Sequence, residues 1–194
     1  MNSDTVLEQA AKSWQEKTPL IPPSELETTL LEKEKITKKQ KISYSFEQLV
    51  GTWQLFYLIG TKRKKLGISL GKGRYLPRLI NISLSYSTGE ELSHNQGTIK
   101  NYVNLGILQF SLTGPVKFLP PRNMLVFDFT RLNVKFLGAN VYNGYIRSGK
   151  AREESFYTDK VSQQAFFSYF YISKLAIAAR GRGGGIALWS RLKE

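Results

Sequence analysis

The sequence predicts a mainly β fold, an antiparallel up-and-down barrel of about eight to nine strands behind an N-terminal helical extension. Three observations predict it. The spacing of apolar residues changes from a helical to an alternating period near Ser45. Turn signals then recur at short intervals, and no helix-length periodic segment interrupts the series that follows. A meander of this kind removes its exposed edges by closing on itself. At such a strand number the interior is just wide enough for side chains or one small ligand.

Residues 1–44 are read as the helical arm and residues 45–194 as the barrel domain. Ser3-Asp4 caps a first helix to about Lys17, with Val6, Leu7, Ala10 and Trp14 at helical spacing. Pro22-Pro23 stops it. Ser24 as N-cap, with Glu27 three residues on, starts a second helix carrying Leu26, Leu30 and Leu31. In the barrel domain, Gly51 to Gly60 alternates Trp53, Leu55, Tyr57 and Ile59 against Thr52, Gln54, Phe56 and Leu58. Ile80, Ile82, Leu84 and Tyr86 alternate with Asn81, Ser83 and Ser85. Further strands fit 96–105, 107–118, 124–136, 140–147, 165–173, 174–180 and 186–192, separated by Gly114-Pro115, Pro120-Pro121, Asn143-Gly144 and Gly183-Gly184-Gly185. The one long connection, Thr61 to Pro77, is expected as a loop over one end.

Composition removes much chemistry. The chain of 194 residues has no cysteine, which excludes disulfides, thiol nucleophiles and thiolate metal sites, and its single histidine excludes a multi-histidine metal centre. No metal and no catalytic residue is expected. Gly67-Ile68-Ser69-Leu70-Gly71 has the form of a hydrolase nucleophile elbow but lacks the α/β setting and histidine base that the elbow needs. Gly71-Lys72-Gly73-Arg74 lacks P-loop spacing. Asp128, between Phe127 and Phe129, is read as facing outward, because Leu125, Phe127 and Phe129 form the longer apolar row. The first thirty residues carry no apolar leader pattern, and no uncharged run reaches the length of a spanning helix, so a soluble or peripheral protein is expected.

The formal charge of +13 is unevenly spread: residues 1–50 are near neutral at −1, and residues 51–194 carry +14. Seven cations, Lys62, Arg63, Lys64, Lys65, Lys72, Arg74 and Arg78, crowd with no acid between Thr61 and Arg78, interleaved with Leu66, Ile68, Leu70, Tyr75 and Leu76. That mixture suits an anionic lipid headgroup region, or an acidic partner protein. A nucleic-acid interface is disfavoured, because the aromatic residues mostly follow the strand period instead of standing out as stacking platforms.

At the two ends of the barrel domain the residues carry a resemblance. Gly51-Thr52-Trp53, after the short turn Ser45 to Leu49, resembles the Gly-x-Trp opening of lipocalin-like barrels of the calycin superfamily. The fuller string Leu49 to Tyr57 is similar to the opening of the plastid-lipid-associated (fibrillin) family, and Leu175 to Gly184 resembles that family's terminal hairpin. Arg182 stands where the family usually has an acidic residue. In such a barrel Gly51 and Trp53 close one end, and a guanidinium from the last strands stacks on the indole. Arg180 is the first choice for it and Arg191 the second.

The resemblance implies a cyanobacterial or plastid protein, peripheral on the cytoplasmic or stromal side of thylakoids, with a soluble fraction. It implies non-enzymatic binding of a small lipophilic molecule: an isoprenoid quinone, carotenoid, chlorophyll-related pigment or fatty acid. The cofactor expectation is accordingly none covalent, but a bound lipid or pigment. Trp53, Leu55, Tyr57, Ile80, Leu84, Phe127 and Phe129 are the expected lumen lining, and the seven cations the expected docking surface, facing anionic thylakoid lipid or a photosynthetic membrane protein complex. Scaffolding of pigment–protein complexes is the companion reading. The alternatives are a calycin-type bilin chromophore lyase, with Asp128 or Glu90 moving protons, and a single-stranded nucleic-acid-binding barrel.

Overall fold

The computed structural model describes residues 2–64, 67–89 and 94–192, with the backbone course only at 62–64 and 67–70. Two helices, α1 (Ser3–Glu16) and α2 (Pro23–Gln40), precede the strands β1 (Gly51–Lys64), β2 (Gly67–Tyr75), β3 (Asn81–Thr88), β4 (Gln96–Asn104), β5 (Leu108–Leu119), β6 (Met124–Phe127), β7 (Arg131–Phe136) and β8 (Ala139–Tyr145). A short helix α3 (Gly149–Ser155) leads to β9 (Ala165–Ile172), β10 (Ala176–Gly181) and β11 (Ile186–Arg191).

Eight strands close an antiparallel barrel in the order β1-β3-β4-β5-β6-β9-β10-β11, the last pairing back onto β1. Skipping three strands, this is the up-and-down order that the short connections predict. The three remaining strands exist because two barrel strands are long enough to fork. β1 pairs with β3 through Gly51–Gln54 and with β2 through Tyr57–Lys64. β5 pairs with β6 through Val116–Leu119 and with β7 through Leu108–Thr113, and β8 adds to β7. Pro115 offers no N–H to a ladder, and the partner of β5 changes at Gly114-Pro115. The expected single strand 124–136 is therefore two strands. The expected loop after the first strand is instead a hairpin: β1 runs on to Lys64 and returns as β2, which satisfies backbone groups that a loop would leave to water. Ser69 lies within β2, away from any strand-to-helix turn.

Two apolar clusters result. The inner one fills the barrel with Trp53, Leu55, Leu84, Tyr86, Ile99, Val116, Phe118, Leu125, Phe127, Tyr169, Ile177 and Trp189, and is plugged at one end by Phe46 and Leu49. The outer one lies between the barrel wall and the helices, with Leu7, Ala10, Trp14, Leu26 and Leu30 against Phe56, Tyr57, Ile59, Phe170, Ala178 and Leu188. The helical arm thus shares a core with β1, β9, β10 and β11. Trp14 stacks on Phe56 at 5.6 Å between centroids. Polar ties hold the same face: Lys33 pairs with Asp4 at 2.5 Å, and Thr37 donates to the Phe170 carbonyl at 2.7 Å. The second helix opens two residues earlier than a Ser24 N-cap implies, on Pro23, whose missing N–H costs nothing in a first turn. Ser24 is not its N-cap.

Candidate functional site

A β-bulge decides which side chains enter the barrel. Leu55 faces Trp189 across the β1–β11 ladder, yet Tyr57 faces Leu188, so Phe56 is the extra residue. Alternation restarts after it, and Tyr57 and Ile59 fall on the outer face with Phe56. Tyr57, expected in the lumen, instead donates its hydroxyl to the Pro23 carbonyl at 2.6 Å, beneath α2. Ile80 precedes β3 and joins neither cluster, since β3 begins at Asn81. Trp53, Leu55, Leu84 and Phe127 are in the inner cluster, and Phe129 packs against it.

The end near Gly51 is closed. Trp53 is fully buried and donates its indole N–H to the Leu49 carbonyl at 2.7 Å. Arg191, directly opposite Trp53 in the ladder, lays its guanidinium 4.0 Å from the indole centroid and donates to the Val50 carbonyl at 3.1 Å. The closing arginine is therefore Arg191 and not Arg180. Along β10, Ile177 and Ala179 point inward, so Arg180 points outward to the arm, where it forms a two-pronged pair with Glu34 at 2.5 and 2.8 Å. Gly51 has φ +122°, and a Cβ there would lie 2.5 Å from the Arg191 guanidinium, so both the conformation and the space call for glycine. Gly97 does the same for Phe46, whose ring would stand 2.8 Å from an added Cβ.

The middle of the lumen is occupied by side chains. Tyr86 and Tyr169 meet there hydroxyl to hydroxyl at 2.7 Å, and burial pushes both phenols above their ordinary range, so neither ionises near neutrality. Tyr86→Phe leaves the Tyr169 hydroxyl without this partner and is expected to cost about 1–3 kcal/mol. The double variant Tyr86→Phe/Tyr169→Phe should recover part of that. Urea denaturation of the three proteins checks the order, and a double variant less stable than either single one contradicts it.

The opposite end is open. Where β5 leaves β6 for β7, a cleft of about 720 Å³ forms, floored by Phe110, Leu112, Phe127, Phe129, Leu132 and Ile146. Its volume lies within the range typical of small-molecule sites. Phe127 stacks on Phe167 at 4.9 Å and separates this cleft from the filled lumen. Three arginines and two aspartates, Asp128 and Asp159, rim it. Arg152, on α3, pairs with Asp128. Arg182 donates to the carbonyls of Gln164 and Ser162, both at 2.9 Å, so the cation that replaces the expected acidic residue braces the chain before β9. Arg147 has no carboxylate partner among the described residues. Gln164 is buried, gives its amide N–H to the Phe156 carbonyl at 2.8 Å, and leaves its Oε1 without a partner at the cleft margin.

Sequence reasoning placed Asp128 outside the row of Phe127 and Phe129, and the structure adds the arginine that holds it. It missed Phe110, Leu112 and Leu132 as lining, although their alternation with Ser111 and Asn133 carried the signal. It also missed α3, whose signal was the run of helix-forming residues at Lys150–Glu154. Of the seven expected docking cations, Lys72 and Arg74 are exposed and Arg78 lies 5.2 Å over the Trp14 ring. For Lys62, Arg63 and Lys64 the backbone alone is described, and Lys65, like Glu90, lies outside the described residues. No described group of three or more His, Asp or Glu side chains is placed to hold a metal, and no described helix is long and apolar enough to cross a membrane.

No family model matches this chain, and no curated protein matches it. Among solved structures, a redesigned β-barrel is 12% identical with a TM-score of 0.34, over 76% of this chain and 94% of that one. The redesigned β-barrel mFAP1, bound to DFHBI, is 10% identical with a TM-score of 0.31, over 76% of this chain and 96% of that one.

Proposed function

We propose that this protein is a non-enzymatic barrel that binds a small lipophilic molecule with a polar or anionic head in the cleft at its open end, and that it works at an anionic membrane surface. The observation that carries the reading is the cleft itself, with an apolar floor from Phe110 to Ile146 beneath Arg147, Arg152 and Arg182. An alkyl or prenyl tail laid on that floor is driven by area removed from water, about 25 cal/mol per Å², before the costs of ordering. The head meets guanidinium donors. Because Tyr86, Tyr169 and Phe127 fill the barrel below, a short amphiphile such as a fatty acid or the head end of a quinone fits better than a long carotenoid. The resemblance to the fibrillin family supplies the photosynthetic-membrane setting.

Titration with a fluorescent fatty-acid analogue tests this. Saturable binding is expected, competed by unlabelled fatty acid and not by single-stranded DNA, and weakened about tenfold or more by Leu132→Asp, equivalent to roughly 1.4 kcal/mol. Absence of saturable binding, or a Leu132→Asp variant that binds as the parent does, overturns it. The filled lumen favours one second reading, a scaffold for pigment–protein complexes. Pull-down of such complexes by a Leu132→Asp variant that has lost lipid binding would support that reading.

A further inference from the structure

Three loops at the open end of the barrel present apolar side chains to solvent. Leu79, between β2 and β3, is 94% exposed. Ile107 and Leu105, in the β4–β5 turn, are 59% and 48% exposed, and Leu137 and Phe136, at the β7–β8 turn, 69% and 45%. The ladders set these loops side by side. Asn81 pairs with Asn104, which places the β2–β3 connection next to the β4–β5 turn. Leu108 pairs with Phe136, and the Leu137 N–H donates to the Ile107 carbonyl at 2.8 Å. The tip therefore forms one ridge, distinct from the basic stretch 61–78 and from the floor of the cleft.

Leu137 carries a second signal. It and Gly138 form a two-residue hairpin turn, with φ +50° and +83°. Asparagine, aspartate or glycine are the residues such a turn favours at its first central position. A leucine held in the left-handed region and turned to water is unfavourable in both respects, and backbone strain of this kind concentrates where it serves a contact.

The charge around the ridge is one-sided. Between Asn95 and Arg152 the chain has eight cations and a single acid, Asp128, already paired with Arg152, and Glu153 just beyond is taken up by Arg131 at 3.7 Å. Lys100, Arg131 and Lys135 share one open polar groove on the outer face of β4, β5 and β7, with Lys135 beside the ridge and the other two at the register of Thr113, further back along β5. An apolar crest backed by cations matches the acyl boundary and headgroups of an anionic bilayer, where the crest leaves water and the cations meet phosphate.

We infer that the turns at Leu105–Ile107 and Phe136–Leu137, with Leu79, insert shallowly into an anionic lipid bilayer, and that Lys100 and Lys135 hold the headgroups. This deepens the membrane half of the function proposed above and is independent of lipophile binding. It turns the mouth of the cleft toward the bilayer.

Flotation with vesicles of phosphatidylcholine, alone or mixed with phosphatidylglycerol, tests it. The full chain is expected to float with the anionic vesicles and to lose them at high salt. Leu105→Ser/Ile107→Ser/Leu137→Ser should lower the partition coefficient at least roughly thirtyfold, and Lys100→Glu/Lys135→Glu should abolish the salt-sensitive part. Thermal unfolding of both variants should stay close to the parent, because Leu105, Ile107, Leu137 and Lys100 are exposed and Lys135 is only half-buried. A Leu137→Trp variant should shift its added fluorescence to the blue and be quenched by brominated lipid. A triple variant that floats like the parent overturns the inference. So does a parent that ignores vesicles and forms dimers which the triple variant breaks, since a second copy then covers the ridge. Loss of fatty-acid binding in solution with flotation intact overturns the cleft reading and leaves this one standing.

Discussion

Trp53→Ala is expected to destabilise the protein by roughly 3–5 kcal/mol, the largest effect of any single substitution named here. The indole is fully buried, so its removal deletes apolar contact area and leaves a cavity at the plugged end of the barrel. It also strands two partners. The Leu49 carbonyl loses the indole N–H, and the Arg191 guanidinium loses the ring it lies on. A loss of that size is a large share of the 5–15 kcal/mol that holds a typical domain, so partial unfolding at ambient temperature is an expected outcome. Urea denaturation gives the value directly. Arg191→Ala should reproduce a smaller part of the same loss, through the bonds it makes to Val50, Lys174 and Gln48. An Arg180→Ala variant that shared its unfolding behaviour with Trp53→Ala, while Arg191→Ala did not, would reverse the assignment of the two arginines.

Arg180→Ala is expected to act elsewhere, by unfastening α2, at a cost of roughly 2–4 kcal/mol. Its partner Glu34 has a side chain only 9% exposed, and without Arg180 that carboxylate stays in a poorly hydrated place with Lys38 as its remaining ion partner. The readout is faster proteolysis in the connection between α1 and α2, together with a lower unfolding temperature. The pair also sets a pH dependence. Burial pushes the Glu34 carboxyl up, but the hydrogen bonds from Arg180 and Lys38 outweigh it and hold the group below its ordinary value of 4.5. A carboxyl with a depressed folded-state pKa contributes stability above its unfolded pKa and loses it as pH falls through the folded value. The parent should therefore exceed Glu34→Gln in stability at neutral pH, and the two should converge as pH drops below about 4.5. Equal stability of the two at neutral pH would show that the arm is held by its apolar face alone, and a difference that persists unchanged into acid would show that it does not come from the carboxylate charge.

Particular strands show what made the barrel legible. Ile82, Leu84 and Tyr86 pack against or within the inner cluster as their alternation predicts, because an unbroken antiparallel strand with one buried face has a strict period. Gly51 and Trp53 marked the closed end for the same local reason. β1 resisted reading beyond Leu55, since a bulge leaves no mark in a run of residues all able to face inward. Tyr57 is apolar enough for either side, and its position depends on Pro23 of α2 standing above it. The ridge residues Leu105, Ile107, Phe136 and Leu137 read in sequence as ordinary strand ends, and their exposure follows from the forks that carry β7 and β8 beyond the barrel.

The sequence by itself determined the class of fold, the helical arm, the antiparallel succession of strands and the absence of thiol or multi-histidine chemistry, but not that 131–136 and the expected strand 140–147 leave the barrel. These rest on local periodicity, turn residues and composition, none of which needs a partner distant in the chain. The tertiary structure alone decided which arginine closes the barrel, that the lumen is filled while its open end is not, and that the apolar turns meet in one ridge. Each of those depends on ladder register, where a shift of one residue exchanges inside for outside, and register is settled by packing between strands far apart in the chain.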